Sequence, residues 1–126
     1  LNTGDQNLTN PNNYRAIRYA DVLLMAAEAL NRGGIDEGRA RLYLNEVRLR
    51  ANLSEISSSG TALTNDIYKE RRLELVGEGH RFFDLVRTNT ASENIEGFVS
   101  GKHEVFPIPS IEIDLTGNRW SQNPGY

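Results

Sequence analysis

Between Lys69 and Arg87 the chain runs Lys69-Glu70-Arg71-Arg72-Leu73-Glu74-Leu75-Val76-Gly77-Glu78-Gly79-His80-Arg81-Phe82-Phe83-Asp84-Leu85-Val86-Arg87, and the order of these charges constrains the fold more than any other feature. Glu70, Glu74 and Glu78 recur every four residues, which sets three carboxylates on one helical face. Arg71, Arg72, Arg81 and Arg87 supply guanidinium groups at neighbouring positions, and planar forks opposite carboxylates fix geometry as well as charge. With Asp84 these residues read as a structural ionic cluster, too ordered for a solvated face and too symmetric for an active site. If Glu70, Glu74 and Arg81 hold buried pairs, Arg81→Ala orphans a charge and costs about 3–5 kcal/mol.

Upstream, Ile17, Ala20, Leu24 and Ala27 form an apolar stripe, widened by Leu23 and Leu30, which predicts a helix over about 14–32. Asn12 and Asn13 are its candidate caps. Gly33 and Gly34 end it by supplying the left-handed backbone that helix C-termini favour, and Asp36 caps a second helix over about 37–51. The short connection makes an antiparallel hairpin, and Ala26, Ala27, Ala29 and Ala40 let its axes approach closely. The pattern is that of one tetratricopeptide repeat, a unit that is stable only when stacked, so self-association or partner helices are expected.

Residues 52–62, with Ser57-Ser58-Ser59-Gly60, read as a mobile surface loop. A third helix is predicted over about 64–87, kinked where Gly77 and Gly79 each cost roughly 1 kcal/mol against alanine. Residues 88–126 form an irregular tail in which Pro107 and Pro109 prevent helix around Phe106 and Ile108. Ile111 and Ile113 alternate, the signature of a short edge strand. Trp120 and Tyr126 are the tail's expected anchors over the helices. The expected fold is therefore mainly α: a tetratricopeptide-like hairpin, a third kinked helix and a proline-containing C-terminal wrap, forming one domain over residues 1–126.

The net charge of −3 argues against a nucleic-acid surface. No apolar run approaches the roughly 20 residues needed to cross a bilayer, and the first residues lack the regions of a signal peptide. With no cysteine there is no disulfide, thiolate metal site or thiol nucleophile. His80 and His103 stand far apart in no metal-binding spacing, and the chain contains neither a nucleophile elbow nor a phosphate-binding glycine loop, so no cofactor or metal is implied. Glu74 and Glu78, one turn apart, invite a glycoside-hydrolase reading. Nearby arginines oppose it, because a general acid needs its pKa raised and ion pairing does the reverse.

The phrases Tyr14 to Asn31, Leu44 to Ala51, Glu70 to Leu75, Glu78 to Arg87, Phe106 to Pro109 and Asn123 to Tyr126 occur in the same order as in the C-terminal part of the SusD/RagB family, which this chain resembles. The resemblance spans nearly the whole chain. Departures are a short, serine-rich loop after Ala51 and Gly77 in place of a larger residue. Relatives are anchored through a lipidated N-terminal cysteine, so a chain with neither cysteine nor initiator methionine reads as a C-terminal fragment whose anchor is absent.

The resemblance implies a non-catalytic part of a surface-exposed outer-membrane lipoprotein that binds oligosaccharide or polysaccharide and delivers it to a TonB-dependent transporter. Within it, this segment is mainly scaffold. No glycan-contacting residue of the family can be matched here. Trp120, near Asn118, Arg119, Gln122 and Asn123, has the composition of a sugar platform and equally that of a buried tryptophan at a chain end. Two other readings compete: a helical-repeat adaptor whose groove, lined by Asn and Arg, binds a peptide or partner helix, and a carboxylate-based hydrolase.

Overall fold

The computed structural model describes residues 15–117 and 119–126. The chain divides into two compact units, residues 1–75 and 76–126. The first contains α1 (Tyr19–Arg32), α2 (Glu37–Arg50) and α3 (Gly60–Glu74). The second contains α4 (Arg81–Arg87), α5 (Ala91–Asn94) and α6 (Ser110–Leu115). Among the described residues there is no strand.

In the first unit α1 is the central element, packed against both α2 and α3. Its stripe of Ala20, Leu23, Leu24 and Ala27 meets Ala40, Leu44 and Val47 of α2 and Leu63 and Ile67 of α3. Ala27 and Ala40 are fully buried, which is where small side chains let helices approach. The helix starts at Tyr19, later than its stripe suggests, because Arg18 is extended with φ −114°. The expected caps Asn12 and Asn13 lie outside the described residues.

Helix ends follow one device. After α1, Gly33 stays right-handed at φ −75°, against expectation, while Gly34 takes φ +62°, and the Ile35 and Gly34 amides donate to the carbonyls of Leu30 at 3.0 Å and Asn31 at 3.1 Å. This is the Schellman closure that satisfies a helix's orphan carbonyls. Asn52 (φ +58°) repeats it after α2, with Leu53 N–H donating to the Arg48 carbonyl at 3.0 Å. Asn89 (φ +57°) does so after α4, with Thr90 N–H donating to the Leu85 carbonyl at 2.9 Å. Asparagine is one of the few residues with a side chain that takes this conformation readily. At the start of α2, Asp36 Oδ1 accepts from the Arg39 amide at 2.9 Å, as expected of a cap.

Residues 54–60 are held rather than loose, which corrects the expectation of a mobile loop. Arg48 Nε donates to the Ser54 carbonyl at 2.9 Å, and the Asn45 amide both donates to the Ile56 carbonyl at 3.0 Å and accepts from the Ile56 N–H at 2.8 Å. Arg41 Nε donates to the Ser58 carbonyl at 2.9 Å, and Gly60 N–H donates to Glu37 Oε2 at 2.8 Å. The segment thus runs as a strap antiparallel to α2. Three or four helical residues advance about 5.5 Å, and two extended residues advance about 6.6 Å, so every second strap residue meets the next side chain up one helix face. Ser59, the residue before α3, takes the β conformation of a helix cap, so α3 begins at Gly60 rather than near Thr64.

The kink expected inside the third helix is a full break. Gly77 at φ +80° and Gly79 at φ +84° both lie in the left-handed region, which a right-handed helix cannot include. In the second unit Leu85 and Ala91 are buried. Phe82 packs edge-on against Phe83, with centroids 5.7 Å apart, and Phe98 packs against His103 at the same distance. Ile111 and Ile113 form no strand, contrary to expectation. Pro109, with φ −54°, opens the turn of α6 instead, and its carbonyl accepts from the Glu112 amide at 3.0 Å.

Asn45→Ala breaks both strap bonds and strands part-buried backbone groups. It is expected to cost about 2–3 kcal/mol in a urea titration, while Ser57→Ala, on the exposed side of the same strap, costs less than about 0.5 kcal/mol.

Candidate functional site

The polar side chains of the first unit converge on α3. Arg71 Nη1 lies 2.7 Å from Asp21 Oδ1 of α1, and both side chains are almost wholly buried, at 5% and 6% exposure. Arg48 Nη1 of α2 lies 2.6 Å from Glu70 Oε2. Glu74 takes a guanidinium on each oxygen: Arg18 Nη1 at 2.9 Å on Oε1 and Arg50 Nη2 at 2.6 Å on Oε2. Arg18 Nη2 also donates to the Glu74 carbonyl at 2.9 Å. The last two turns of α3 are thereby keyed to the N-terminal end of α1 and the C-terminal end of α2.

A second layer ties the other ends of α1 and α3. Glu28 Oε1 accepts from Arg32 Nη1 at 3.0 Å and from the Tyr68 hydroxyl at 3.2 Å. This contact with Glu28 is the main reason the Arg32 guanidinium is held above its ordinary value. Asn31 Nδ2 donates to Thr64 Oγ1 and to the Gly60 carbonyl, both at 2.8 Å. No buried side-chain nitrogen or oxygen among the described residues lacks a partner.

The predicted cluster is divided by this arrangement. Glu70, Arg71 and Glu74 make interhelix pairs, with partners that sequence inspection had not assigned: Asp21, Arg18, Arg48 and Arg50. Arg72 and Glu78 are exposed. Asp84 Oδ1 accepts from Arg87 Nε and Nη2, both at 2.8 Å, a local pair in α4. Arg81 donates to Asn94 Oδ1 at 3.4 Å, not to Glu70 or Glu74, because the Gly77–Gly79 break ends the four-residue register before it. The large cost expected for Arg81→Ala therefore moves to Arg71. A signal for one missing partner did exist: Asp21 abuts the apolar stripe of α1, and a buried carboxylate requires a cation.

Trp120 is 55% exposed. Of the amides expected to join it at a sugar, Asn118 lies outside the described residues, and Gln122 and Asn123 are committed to backbone. Gln122 Oε1 accepts from the Ile108 N–H at 2.7 Å while its Nε2 donates to the Ile108 carbonyl at 2.8 Å, and Asn123 Nδ2 donates to the Phe106 carbonyl at 2.6 Å. The Tyr126 hydroxyl donates to the Val105 carbonyl at 3.1 Å, so the tail folds back along residues 105–108. In the nearby 99–104 turn, the Gly101 N–H holds the Glu104 carboxyl below its ordinary range. That contribution to the turn is present above the unfolded carboxyl pKa and lost as pH falls through the lower folded value.

Chemically the ionic network joins helices. Both oxygens of Glu74 are occupied, so it presents no carboxylate to a glycosidic bond. Among the described residues no three His, Cys, Asp or Glu side chains are grouped as a metal site, and no helix is long and apolar enough to cross a membrane.

These features define a mainly helical protein with a tetratricopeptide-like hairpin and an internal ionic staple. Residues 2–105 match the SusD family, and the chain belongs to it. It is 34% identical to SusD-like protein P2 of Formosa agariphila over 140 residues, covering 98% of this chain and 28% of that protein. It is 42% identical to SusD-like protein P38 of the same organism over 95 residues, covering 67% of this chain and 18% of that protein.

Among solved structures, a SusD homolog from Bacteroides thetaiotaomicron superposes with a TM-score of 0.77 at 34% identity, over 86% of this chain and 25% of that one. Surface glycan-binding protein A from Bacteroides uniformis does so with a TM-score of 0.73 at 36% identity, over 89% and 28%. The chain thus spans between 18% and 28% of the length of these relatives.

Arg71→Ala is expected to cost about 3–5 kcal/mol by chemical denaturation, through the orphaned Asp21, and Arg81→Ala less than about 1 kcal/mol. The double variant Asp21→Leu/Arg71→Met should recover most of the loss. Equal effects at Arg71 and Arg81 would contradict the assignment.

Proposed function

We propose that this chain is the C-terminal scaffold portion of a longer, non-catalytic nutrient-binding protein at the outer-membrane surface. Its whole captures oligosaccharide or polysaccharide and delivers it to a TonB-dependent transporter. The observation that carries this reading is the inward commitment of the chain's ordered polar groups. Glu70, Arg71, Glu74, Arg48 and Asn45 all hold helix to helix or helix to strap, so the ordered charge pattern serves architecture. Membership of the SusD family and likeness to a surface glycan-binding protein support the glycan as ligand class.

The adaptor reading loses its main feature, since the Asn and Arg face of α2 is already occupied by the chain's own strap. A free peptide would have to displace a segment held at high effective concentration. The hydrolase reading fares no better, with Glu74 doubly paired and Glu78 beyond the helix break.

Affinity electrophoresis against a polysaccharide panel tests the proposal, together with recovery of an outer-membrane transporter when the protein is purified from detergent-solubilised membranes. Retardation by at least one polysaccharide is expected, with no new reducing ends released over a day. Migration unaffected by every polysaccharide, or release of reducing ends that Glu74→Gln abolishes, would contradict it.

A further inference from the structure

Where the first turn of α1 passes the last turns of α2, the first unit leaves a cleft of about 290 Å³. Its floor is Ala20, Leu23 and Val47, exposed by only 8%, 6% and 2%. Its rim is Tyr19, Glu46 and Arg50. The volume lies at the low edge of the roughly 300–1,000 Å³ of ligand pockets, which suits a single ring.

Two polar groups of the rim are unused. Tyr19 is 68% exposed, and its hydroxyl, like the Glu46 carboxylate, has no hydrogen-bond partner among the described residues. Glu46 and Arg50 stand one helical turn apart, a spacing that ordinarily pairs them. Here Glu74 takes Arg50 Nη2 at 2.6 Å, which fixes the guanidinium at the cleft and leaves the Glu46 carboxylate open. Arg18, which also lines the cleft, is fixed by the same Glu74. The staple therefore positions a donor beside an uncommitted acceptor and an uncommitted aromatic ring, above an apolar floor.

The guanidiniums of Arg18 and Arg50 are balanced by the carboxylates of Glu74 and Glu46, which leaves no net charge to favour an ion. A neutral ligand with an apolar face and neighbouring hydroxyls meets every group, because a hydroxyl both donates to a carboxylate and accepts from a guanidinium. We infer that this cleft is a subsite for one neutral pyranose ring, with the ring's C–H face on Tyr19 and adjacent hydroxyls on Glu46 and Arg50. The assignment rests on the glycan-binding reading and deepens it by placing a sugar contact on the helical hairpin itself.

The test is a titration of the protein with maltohexaose, cellohexaose and mannohexaose, followed through the methyl NMR signals of Leu23 and Val47. It is repeated with Tyr19→Ala and Glu46→Gln, two exposed positions whose folding is checked by thermal melting. At least one hexasaccharide is expected to shift both methyl signals, with affinity falling about tenfold in Tyr19→Ala and about fivefold in Glu46→Gln. Binding that leaves those signals and both variants unaffected would overturn the subsite while the glycan-binding reading stands. Silence toward the hexasaccharides with retardation by a polysaccharide would do the same. Silence toward every glycan would sink both.

Discussion

The buried contact between Asp21 and Arg71 is the interaction on which the first unit depends. Neither side chain has more than a few per cent of its surface in water, so each requires the other. The two residues lie fifty positions apart, one in the first turn of α1 and one near the end of α3. Satisfying them fixes the translation and rotation of α3 against α1, a constraint that apolar contacts alone impose loosely. Glu70 and Glu74 extend the same logic to α2 through Arg48 and Arg50. The apolar stripe drives the three helices together, and the staple selects one register among the packings that would bury similar area.

The strap is the second consequence of that register. Once α3 is keyed to the C-terminal end of α2, the chain between them must run back along α2, and its backbone groups need partners there. Glu37, Arg41, Asn45 and Arg48 supply them at the helical spacing that an extended chain can follow. A serine-rich stretch whose apolar anchor is Ile56, packed against the core, is otherwise ordered in this way by its surroundings. The same side chains are then unavailable to an outside ligand, which links architecture to function. At the cleft beside Tyr19, by contrast, the Tyr19 hydroxyl and the Glu46 carboxylate are uncommitted.

Much of this was legible from local signals. The α1–α2 hairpin was written in Gly33, Gly34, Asp36 and the alanine stripe, since each acts within one or two turns of its own position. The start of α3 was less legible, because Ser59 caps through its backbone conformation without a side-chain bond. The partners of Glu70 and Glu74 could not be read locally, because they come from positions 22, 24 and 56 residues away, whereas the arginines adjacent in sequence point elsewhere. Ile111 and Ile113 misled for a related reason. Alternation over three residues fits a short helix as well as a strand, and only the hydrogen bonds to Pro109 decide.

Native-state hydrogen exchange tests most directly whether the ionic staple makes α1, α2 and α3 one cooperative body. The account predicts that the amides of Leu24, Val47 and Glu74 share a single opening free energy, equal to that of global unfolding. Exchange at Glu74 through a separate opening, with α3 released while α1 and α2 stay protected, would contradict it.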